Sequence, residues 1–153
     1  LDYVGLNYYI TNQDVVKEIR DDGVVETYNF EIEDPERIGF DEIMYNAWKR
    51  YNKPILITET GCFGVLREPW WRMMLRDVKN AVKRGIPLHG VCAYPIIDRP
   101  DWSGGHLTNS GFWDFPEGDA TCCRVPHEGV LNLIREFSEA HGLLQTERLI
   151  FNI

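Results

Sequence analysis

Pro54-Ile55-Leu56-Ile57-Thr58-Glu59-Thr60-Gly61 is the stretch of sequence that decides the fold. Residues 55–58 form a short, almost entirely apolar run that follows a proline and leads into a carboxylate. Such a run is typical of a strand that is buried on both faces, as strands of a parallel sheet are. The segment therefore predicts a buried strand with Glu59 at its carboxyl end.

Two more buried strands are predicted on either side of this segment. Residues 2–9 are rich in β-branched and aromatic side chains, and residues 88–94 form another apolar run. Between the first and second strands, residues 14–19 and 24–30 are alternating, valine-rich pieces around an Asp-Asp-Gly turn, which predicts a hairpin or a long surface excursion. A long loop is predicted from residue 95 to about 126.

Apolar residues at helical spacing predict three helices, over residues 35–51, 71–82 and 130–137. Asp34 before Pro35 predicts the start of the first helix, and the last is expected to run out at Gly142. The resulting order of strand, helix, strand, helix, strand, loop and helix is the pattern of parallel α/β units with right-handed crossovers. Periodicity alone does not choose between part of a barrel and a small doubly wound sheet.

Composition excludes several classes of partner. The 153 residues are 44% hydrophobic and 26% charged, which is usual for one globular domain. A net charge of -8 with dispersed basic residues argues against binding to nucleic acid. No apolar run approaches the roughly 20 residues that span a bilayer, and no secretory signal begins the sequence, so we expect no membrane partner.

The cysteines do not form a disulfide framework. Their spacing is irregular and two of them are adjacent, so we expect reduced thiols in a cytoplasmic protein. A zinc site that recruits His106 or His127 lacks the usual ligand spacing. The four cysteines are Cys62, Cys92, Cys122 and Cys123.

Polar and aromatic residues gather at the predicted strand ends, where parallel α/β folds carry their reactive groups. Carboxylates and amides hydrogen-bond to sugar hydroxyls, and aromatic rings cover the C–H face of a pyranose. This mixture of groups favours a carbohydrate site. The residues concerned are Asn7, Tyr8, Tyr9, Thr58, Glu59, Thr60, Tyr94, Asp98, Asp101 and Trp102.

Glu59 is the sharpest candidate among them. A carboxylate that ends a buried strand must be paired, solvated or used in chemistry. Taken alone, a glutamate that simply faces water is the stronger interpretation. Tyr9 ends a neighbouring strand, where its hydroxyl is placed to hold the carboxylate and favour its ionised form.

Three segments resemble family 1 glycoside hydrolases, the β-glucosidase group, and occur in that family's order. Residues 1–9 resemble the segment that leads to the sixth barrel strand. Residues 54–61 resemble the nucleophile strand, commonly Ile-Thr-Glu-Asn-Gly. Residues 90–102 resemble the last strand and sugar-binding loop, commonly Gly-Tyr-Phe-x-Trp-Ser-Leu-Leu-Asp-Asn-Phe-Glu-Trp. The resemblance implies a (β/α)8 TIM barrel in which residues 1–153 are a C-terminal fragment, about the last three strand–helix units, with no second domain.

The resemblance also implies a role for each matched residue. Tyr94 takes the place of the family's Trp platform under the sugar, and Asp101 that of the Glu that binds distal hydroxyls. For Asp101 and Trp102 the alternative is a solvated acid and an aromatic plug, and Asp98 equally suits a turn cap. The implied catalytic residues are Glu59 as nucleophile and Tyr9, which orients it; the implied substrate-binding residues are Asn7, Tyr94, Asp101 and Trp102.

Several departures point to a divergent branch of the family, with a sugar preference that need not be glucose. Thr60, Tyr94, Pro95 and Asp101 replace Asn, Trp, Ser and Glu. The following loop, residues 103–107, lacks the Lys with which family members hold a sugar phosphate, which argues against a 6-phospho substrate.

The family's second carboxylate has no match in this chain. Retaining hydrolysis uses two carboxyl groups about 5–5.5 Å apart, and the family's Asn-Glu-Pro acid/base motif is absent from the sequence. Glu117 and Glu128 suit solvated or helix-capping roles instead. The expectation is a retaining β-glycosidase that takes a small glycoside, needs no cofactor, and requires the upstream remainder of its barrel, so that this fragment alone is inactive.

Three alternatives remain open at this point. One is another barrel glycosidase that acts on galactosides or mannosides. A second is a non-catalytic carbohydrate-binding or regulatory relative, which suits the missing carboxylate. The third is a self-sufficient small α/β domain with no sugar role.

Overall fold

The computed structural model describes residues 1–23, 25–116 and 123–141 of the chain. Helices alternate with the strands of the main sheet, and short strands occupy the long loop near the end. In chain order the elements are β1 (Val4–Tyr8), β2 (Asp14–Ile19), β3 (Val25–Asn29), α1 (Phe40–Tyr51), β4 (Ile55–Thr60), α2 (Arg67–Lys83), β5 (Leu88–Ala93), β6 (Arg99–Pro100), β7 (Leu107–Thr108), β8 (Trp113–Asp114), β9 (Val125–Pro126) and α3 (Glu128–Ala140).

The predicted parallel sheet is confirmed. Its strand order is β1-β4-β5, and both pairings are parallel. The predicted hairpin is also confirmed, because β2 and β3 pair antiparallel. β4 extends to Thr60, so Glu59 lies within the paired part of the strand and not after its end. The carboxyl end of this central strand is thus held by a neighbour on each side.

The predicted start of the first helix is wrong. α1 begins at Phe40 with Gly39 as its N-cap, and not at residue 35. Asp34 instead stabilises a preceding turn: its carboxylate accepts the Glu36 N–H at 2.9 Å, and its carbonyl accepts the Arg37 N–H at 3.1 Å. An Asp-Pro pair suits a turn as well as a helix start, and the turn is what forms here.

Other boundaries differ by a few residues. α2 begins at Arg67, before the predicted start at residue 71, and the predicted long loop contains the four short strands β6 to β9. α3 covers the predicted residues 130–137 and extends beyond them at both ends. Its predicted end at Gly142, and Glu117, lie outside the described residues.

The core lies between the sheet and the helices. Tyr8 of β1 stacks on Phe40 of α1 at a centroid separation of 4.0 Å and on Trp70 of α2 at 5.5 Å. The Trp70 indole N–H donates to the Thr60 hydroxyl at 3.0 Å, so the polar edge of this buried ring is satisfied. Ile57 is fully buried in the same cluster. These contacts fix the end of β4 against both helices.

A β-bulge turns Glu59 away from this core. The β1–β4 register shifts just before Asn7, which pairs with Glu59, so that β4 contains one extra residue at Thr58. Ile57 points into the core, and strict alternation would send Glu59 to the same side. Instead, the side chains of Thr58 and Glu59 both hydrogen-bond to the exposed Asn7. Glu59 therefore faces the side of the sheet opposite the helices, which we call the open face.

Asp77 of α2 caps the start of the first helix, although it lies 37 residues further along the sequence. The residue is 2% exposed, and its carboxylate accepts the Phe40 N–H at 3.0 Å and the Arg76 Nε–H at 3.0 Å. Phe40 is the first residue of α1, so Asp77 satisfies one of the N–H groups that a helix start leaves without an intrahelical partner. Burial raises the pKa of Asp77, and its two hydrogen bonds oppose that rise.

We expect Asp77→Ala to lower the free energy of unfolding by about 1–3 kcal/mol, because the buried Phe40 N–H loses its acceptor. Asp77→Asn keeps an acceptor and should cost less. Urea denaturation followed by circular dichroism measures both changes, with the exposed Glu136→Ala on α3 as a matched control. Equal stability of Asp77→Ala and the control would refute this role for Asp77.

Candidate functional site

The floor of the site is the Glu59 carboxylate. Its Oε2 accepts the Tyr9 hydroxyl at 2.8 Å and the Asn7 side-chain N–H at 3.3 Å. The side-chain oxygen of Asn7, Oδ1, in turn accepts the Thr58 hydroxyl at 2.6 Å, which fixes the orientation of the side-chain amide. Two donors thus hold one oxygen of Glu59, and none of the hydrogen bonds among the described residues uses the other, Oε1.

Tyr9 stays protonated and is therefore a constant hydrogen-bond donor to that carboxylate. It follows β1 and begins a short 3-10 turn, in which its backbone N–H donates to the Asn12 side chain at 2.6 Å. Burial, and then the hydrogen bond and negative charge of Glu59, raise the pKa of the Tyr9 phenol far above its ordinary value. The phenol therefore keeps its proton and continues to donate across the physiological pH range.

A cavity of about 320 Å³ opens above Glu59. It lies at the lower end of the volumes usual for small-ligand sites, about 300–1,000 Å³. Four of the residues that the sequence singled out line it together. The lining residues are Tyr9, Glu59, Gly61, Cys62, Phe63, Tyr94, Pro95, Arg99, Trp102, Thr108 and Ser110.

Two other predicted residues lie differently. Asn7 contacts Glu59 directly but is not among the residues that line the cavity. Asp101 also lies outside the lining, and its carboxylate accepts the Gly104 N–H at 2.6 Å. Hydrogen bonds from the backbone N–H groups of its own turn lower the pKa of Asp101, chiefly that from Gly104. Its predicted contact with sugar hydroxyls stays a prediction.

Gly61 lets β4 and the Tyr94 segment approach closely. The Tyr94 N–H donates to the Thr60 carbonyl at 2.8 Å, just beyond the end of β5. A Cβ atom at Gly61 would collide with the Tyr94 carbonyl oxygen. The absence of a side chain at Gly61 therefore allows Tyr94 to line the same cavity as Glu59.

Asp98 organises the loop that contributes Arg99, Trp102, Thr108 and Ser110 to the cavity, and we call this loop the wall. Its side chain is 2% exposed. One carboxylate oxygen accepts the Ser110 and Gly111 N–H groups at 2.9 Å each, and the other accepts the Phe115 N–H at 3.0 Å. Asp98 thus ties the start of the loop to residues 110–115, which agrees with the turn-capping alternative considered for it.

Removing this carboxylate should loosen the wall. We expect Asp98→Ala to speed hydrogen exchange at the Ser110 and Gly111 amides by about 100-fold, because each loses a charge-assisted hydrogen bond worth about 1.5–3 kcal/mol. Mass spectrometry of exchanged peptides measures the effect. Asp101→Ala, which removes a less buried carboxylate from the same loop, should leave these amides unchanged. Equal protection in the two variants would show that Asp98 does not hold the wall.

Sequence reasoning missed several lining residues. Phe63, Arg99, Thr108 and Ser110 belong to no matched motif position that carries a role, and the loop fold brings them to the cavity. Cys62, considered only as a thiol, also lines it, and burial raises its pKa. For Arg99, the sequence offered one signal, which is its position five residues after Tyr94 and three residues before Trp102.

No metal centre is evident in the described part of the chain. Within residues 1–23, 25–116 and 123–141, no group of three His, Cys, Asp or Glu side chains is arranged to hold a metal ion. In the same ranges, no helix has the length and apolar character needed to cross a bilayer.

The fold and its strand-end cavity define the class of protein that this chain resembles, which is a TIM-barrel glucosidase over part of its length. Solved β-glucosidases from Thermotoga maritima share the fold. The complex with glucoimidazole is 22% identical with a TM-score of 0.67 over 90% of this chain, and the complex with castanospermine is 20% identical with a TM-score of 0.68 over 90%. A family 1 β-glucosidase from the same organism is 21% identical, with a TM-score of 0.67 over 88% of this chain.

The sequence comparisons agree with this resemblance. Beta-glucosidase 16 of Arabidopsis thaliana is 30% identical in an alignment of 93 residues that covers 52% of this chain. No family model matches the chain. The chain spans 18% of the length of that relative and 34–35% of the solved structures. Family 1 β-glucosidases are therefore the proteins that this chain resembles, as the three sequence segments predicted.

Proposed function

We propose that this chain is the C-terminal part of a (β/α)8 barrel, about its last three strand–helix units, and that the whole protein is a retaining β-glycosidase. The observation that carries the proposal is the Glu59 carboxylate, held by Tyr9 and Asn7 at the floor of a cavity with aromatic walls. Similarity to β-glucosidases in fold supports it.

The geometry suits Glu59 as the nucleophile. Both donors occupy Oε2, which leaves Oε1 as the oxygen to attack the anomeric carbon. That step forms a glycosyl–enzyme ester while the glycosidic oxygen leaves with a proton from an acid. Water then cleaves the ester, and its proton passes to the same acid, now acting as base. Glu59 returns to the carboxylate that Tyr9 and Asn7 stabilise.

The acid/base group would come from another part of the barrel. Glu59 is the one carboxylate among the described residues that line the cavity. β1 and β5 are the outer strands of the three-stranded sheet, so each presents one edge to which further barrel strands can add. We infer that upstream strands supply both the missing pairing and the second carboxylate.

The aromatic walls suit a sugar substrate. Tyr94 lies beside the end of β5, and Trp102 is 86% exposed at the rim, so both present ring surface to a ligand. Aromatic rings of this kind pack against the C–H face of a pyranose, while the hydroxyl groups of Thr108 and Ser110 in the cavity wall offer hydrogen bonds.

Trapping the intermediate tests the assignment of Glu59. The full-length protein, treated with a fluorinated glycoside whose glycosyl–enzyme hydrolyses slowly, should carry one sugar on the peptide that contains Glu59. Mass spectrometry of the digested protein locates it. Glu59→Gln should remain unlabelled, and Glu68→Gln on the surface of α2 should label normally. A sugar attached to any other residue would remove Glu59 from the nucleophile role.

Tyr9→Phe tests the orienting hydrogen bond separately. Loss of a hydrogen bond to a charged group costs about 1.5–3 kcal/mol, so we expect kcat/KM to fall about 10- to 100-fold. Tyr3→Phe, on the same strand segment but outside the cavity, is the matched control. An unchanged rate in Tyr9→Phe would mean that its hydroxyl does not act on Glu59 during the reaction.

A second candidate function is supported by the lone carboxylate. If the upstream strands provide no acid, the protein binds carbohydrate without cleaving it. It would then bind sugars in a calorimetric titration but release no aglycone from aryl glycosides. A sequence of the complete reading frame separates the two candidates, because the hydrolase requires a strand that ends in a second acid.

A further inference from the structure

Arg99 is a cation in the wall of the proposed sugar site. It follows Asp98, whose three backbone hydrogen bonds fix the loop, and it begins the short strand β6. Its side chain lines the same cavity as Glu59. The sequence comparison gave this position no role, because the family's motif has an uncharged Asn there.

Two aromatic rings hold the Arg99 guanidinium. Its Cζ lies 5.3 Å from the centroid of Tyr94 and 4.7 Å from that of Trp102. Contacts at this range fix a guanidinium by cation–π attraction without neutralising its charge. The positive charge is therefore placed between the two rings that would cover a sugar.

The hydrogen-bonding capacity of Arg99 is only partly used. Nη1 donates to the Pro100 carbonyl at 2.6 Å. Nε is buried and has no acceptor within the described structure. Nη2 likewise donates to no described residue, so most of the five N–H donors of this guanidinium lack an acceptor in the described part of the chain.

No carboxylate of the described residues forms an ion pair with Arg99, although the chain carries 24 acidic residues. Asp101, two residues after Arg99, bonds to its own turn at Gly104. Glu59, on the floor, bonds to Tyr9 and Asn7. Within residues 1–23, 25–116 and 123–141, this cation therefore has no ion-pair partner.

Hydroxyl groups lie beside this cation in the same wall. Thr108 on β7 donates its hydroxyl to the Arg99 carbonyl at 2.9 Å, and the Thr108 and Ser110 hydroxyls are 2.8 Å apart. Both residues line the cavity. A planar guanidinium with neighbouring hydroxyls is a chemistry that recognises carboxylates and phosphates by paired hydrogen bonds.

We propose that Arg99 is a specificity-determining residue that binds an anionic substituent of the sugar, a carboxylate or a phosphate. The inference rests on the proposed glycosidase function and narrows its substrate class to acidic glycosides. The anomeric carbon lies at Glu59 on the floor, while the acidic substituent is held at the wall between Tyr94 and Trp102. Arg99 supplies the cation that the Lys-free loop 103–107 lacks.

Binding separates this inference from hydrolysis. In the full-length Glu59→Gln protein, isothermal titration calorimetry should give an affinity at least about 10-fold higher for glucuronate or for glucose 6-phosphate than for glucose. Preference for the first identifies a carboxylate ligand, and preference for the second a phosphate. Adding Arg99→Gln should abolish the preference. Equal affinities for all three sugars, or no binding of any, would overturn the proposal.

Arg50→Gln is the matched control for these titrations. Arg50 also lies over an aromatic ring, 5.6 Å from the centroid of Tyr51, but it belongs to α1 and does not line the cavity. It should keep the acidic preference intact. Loss of that preference in Arg50→Gln as well would mean that the overall charge of the protein, and not Arg99, selects the ligand.

Turnover provides the second measurement. The ratio of kcat/KM for an aryl β-glucuronide or aryl 6-phospho-β-glucoside to that for the aryl β-glucoside should fall at least about 10-fold in Arg99→Gln, with partial recovery in Arg99→Lys. Neutral glycosides cleaved without any acidic preference would overturn the Arg99 inference and leave the glycosidase function standing. Preferred binding of acidic sugars without cleavage of any glycoside would support the Arg99 inference and overturn the proposed glycosidase function.

Discussion

The site depends on the bulge that turns Glu59 out of the core. Ile57 and Thr60 both face the helices, where Thr60 accepts the Trp70 indole N–H at 3.0 Å. With regular alternation the carboxylate would follow Ile57 into that apolar layer, and a buried charge without a partner costs several kcal/mol. The extra residue at Thr58 removes this conflict, because Glu59 then meets donors from β1 on the open face.

Packing on the helix side fixes the geometry of the open face. The Tyr8 ring stacks on both Phe40 and Trp70, so the next residue, Tyr9, leaves β1 in a defined direction and reaches Glu59. Tyr94 is fixed through its bond to the Thr60 carbonyl. A large aromatic core therefore positions two tyrosines at the cavity, and core and site cannot be altered independently.

The sequence predicted those parts of the fold that local pattern controls. Apolar runs located β1, β4 and β5, and the resemblance directed attention to Glu59, which does accept a hydrogen bond from Tyr9. The start of α1 was not predictable in this way, because Asp77 caps it from 37 residues away. The bulge is likewise invisible in the sequence, since it exists only in the register of two paired strands.

Arg99 shows a different limit of motif comparison. The absence of a Lys from residues 103–107 argues against a 6-phospho substrate. The folded loop changes that argument, because Asp98 binds backbone N–H groups up to 17 residues away, and the segment after it brings its guanidinium to the cavity. An anion site requires a positive charge at a place, and a loop can supply that charge from any residue that its fold brings there. The charge that a cavity can bind is therefore better judged from the cations that line it than from the motif position that carries a cation in relatives.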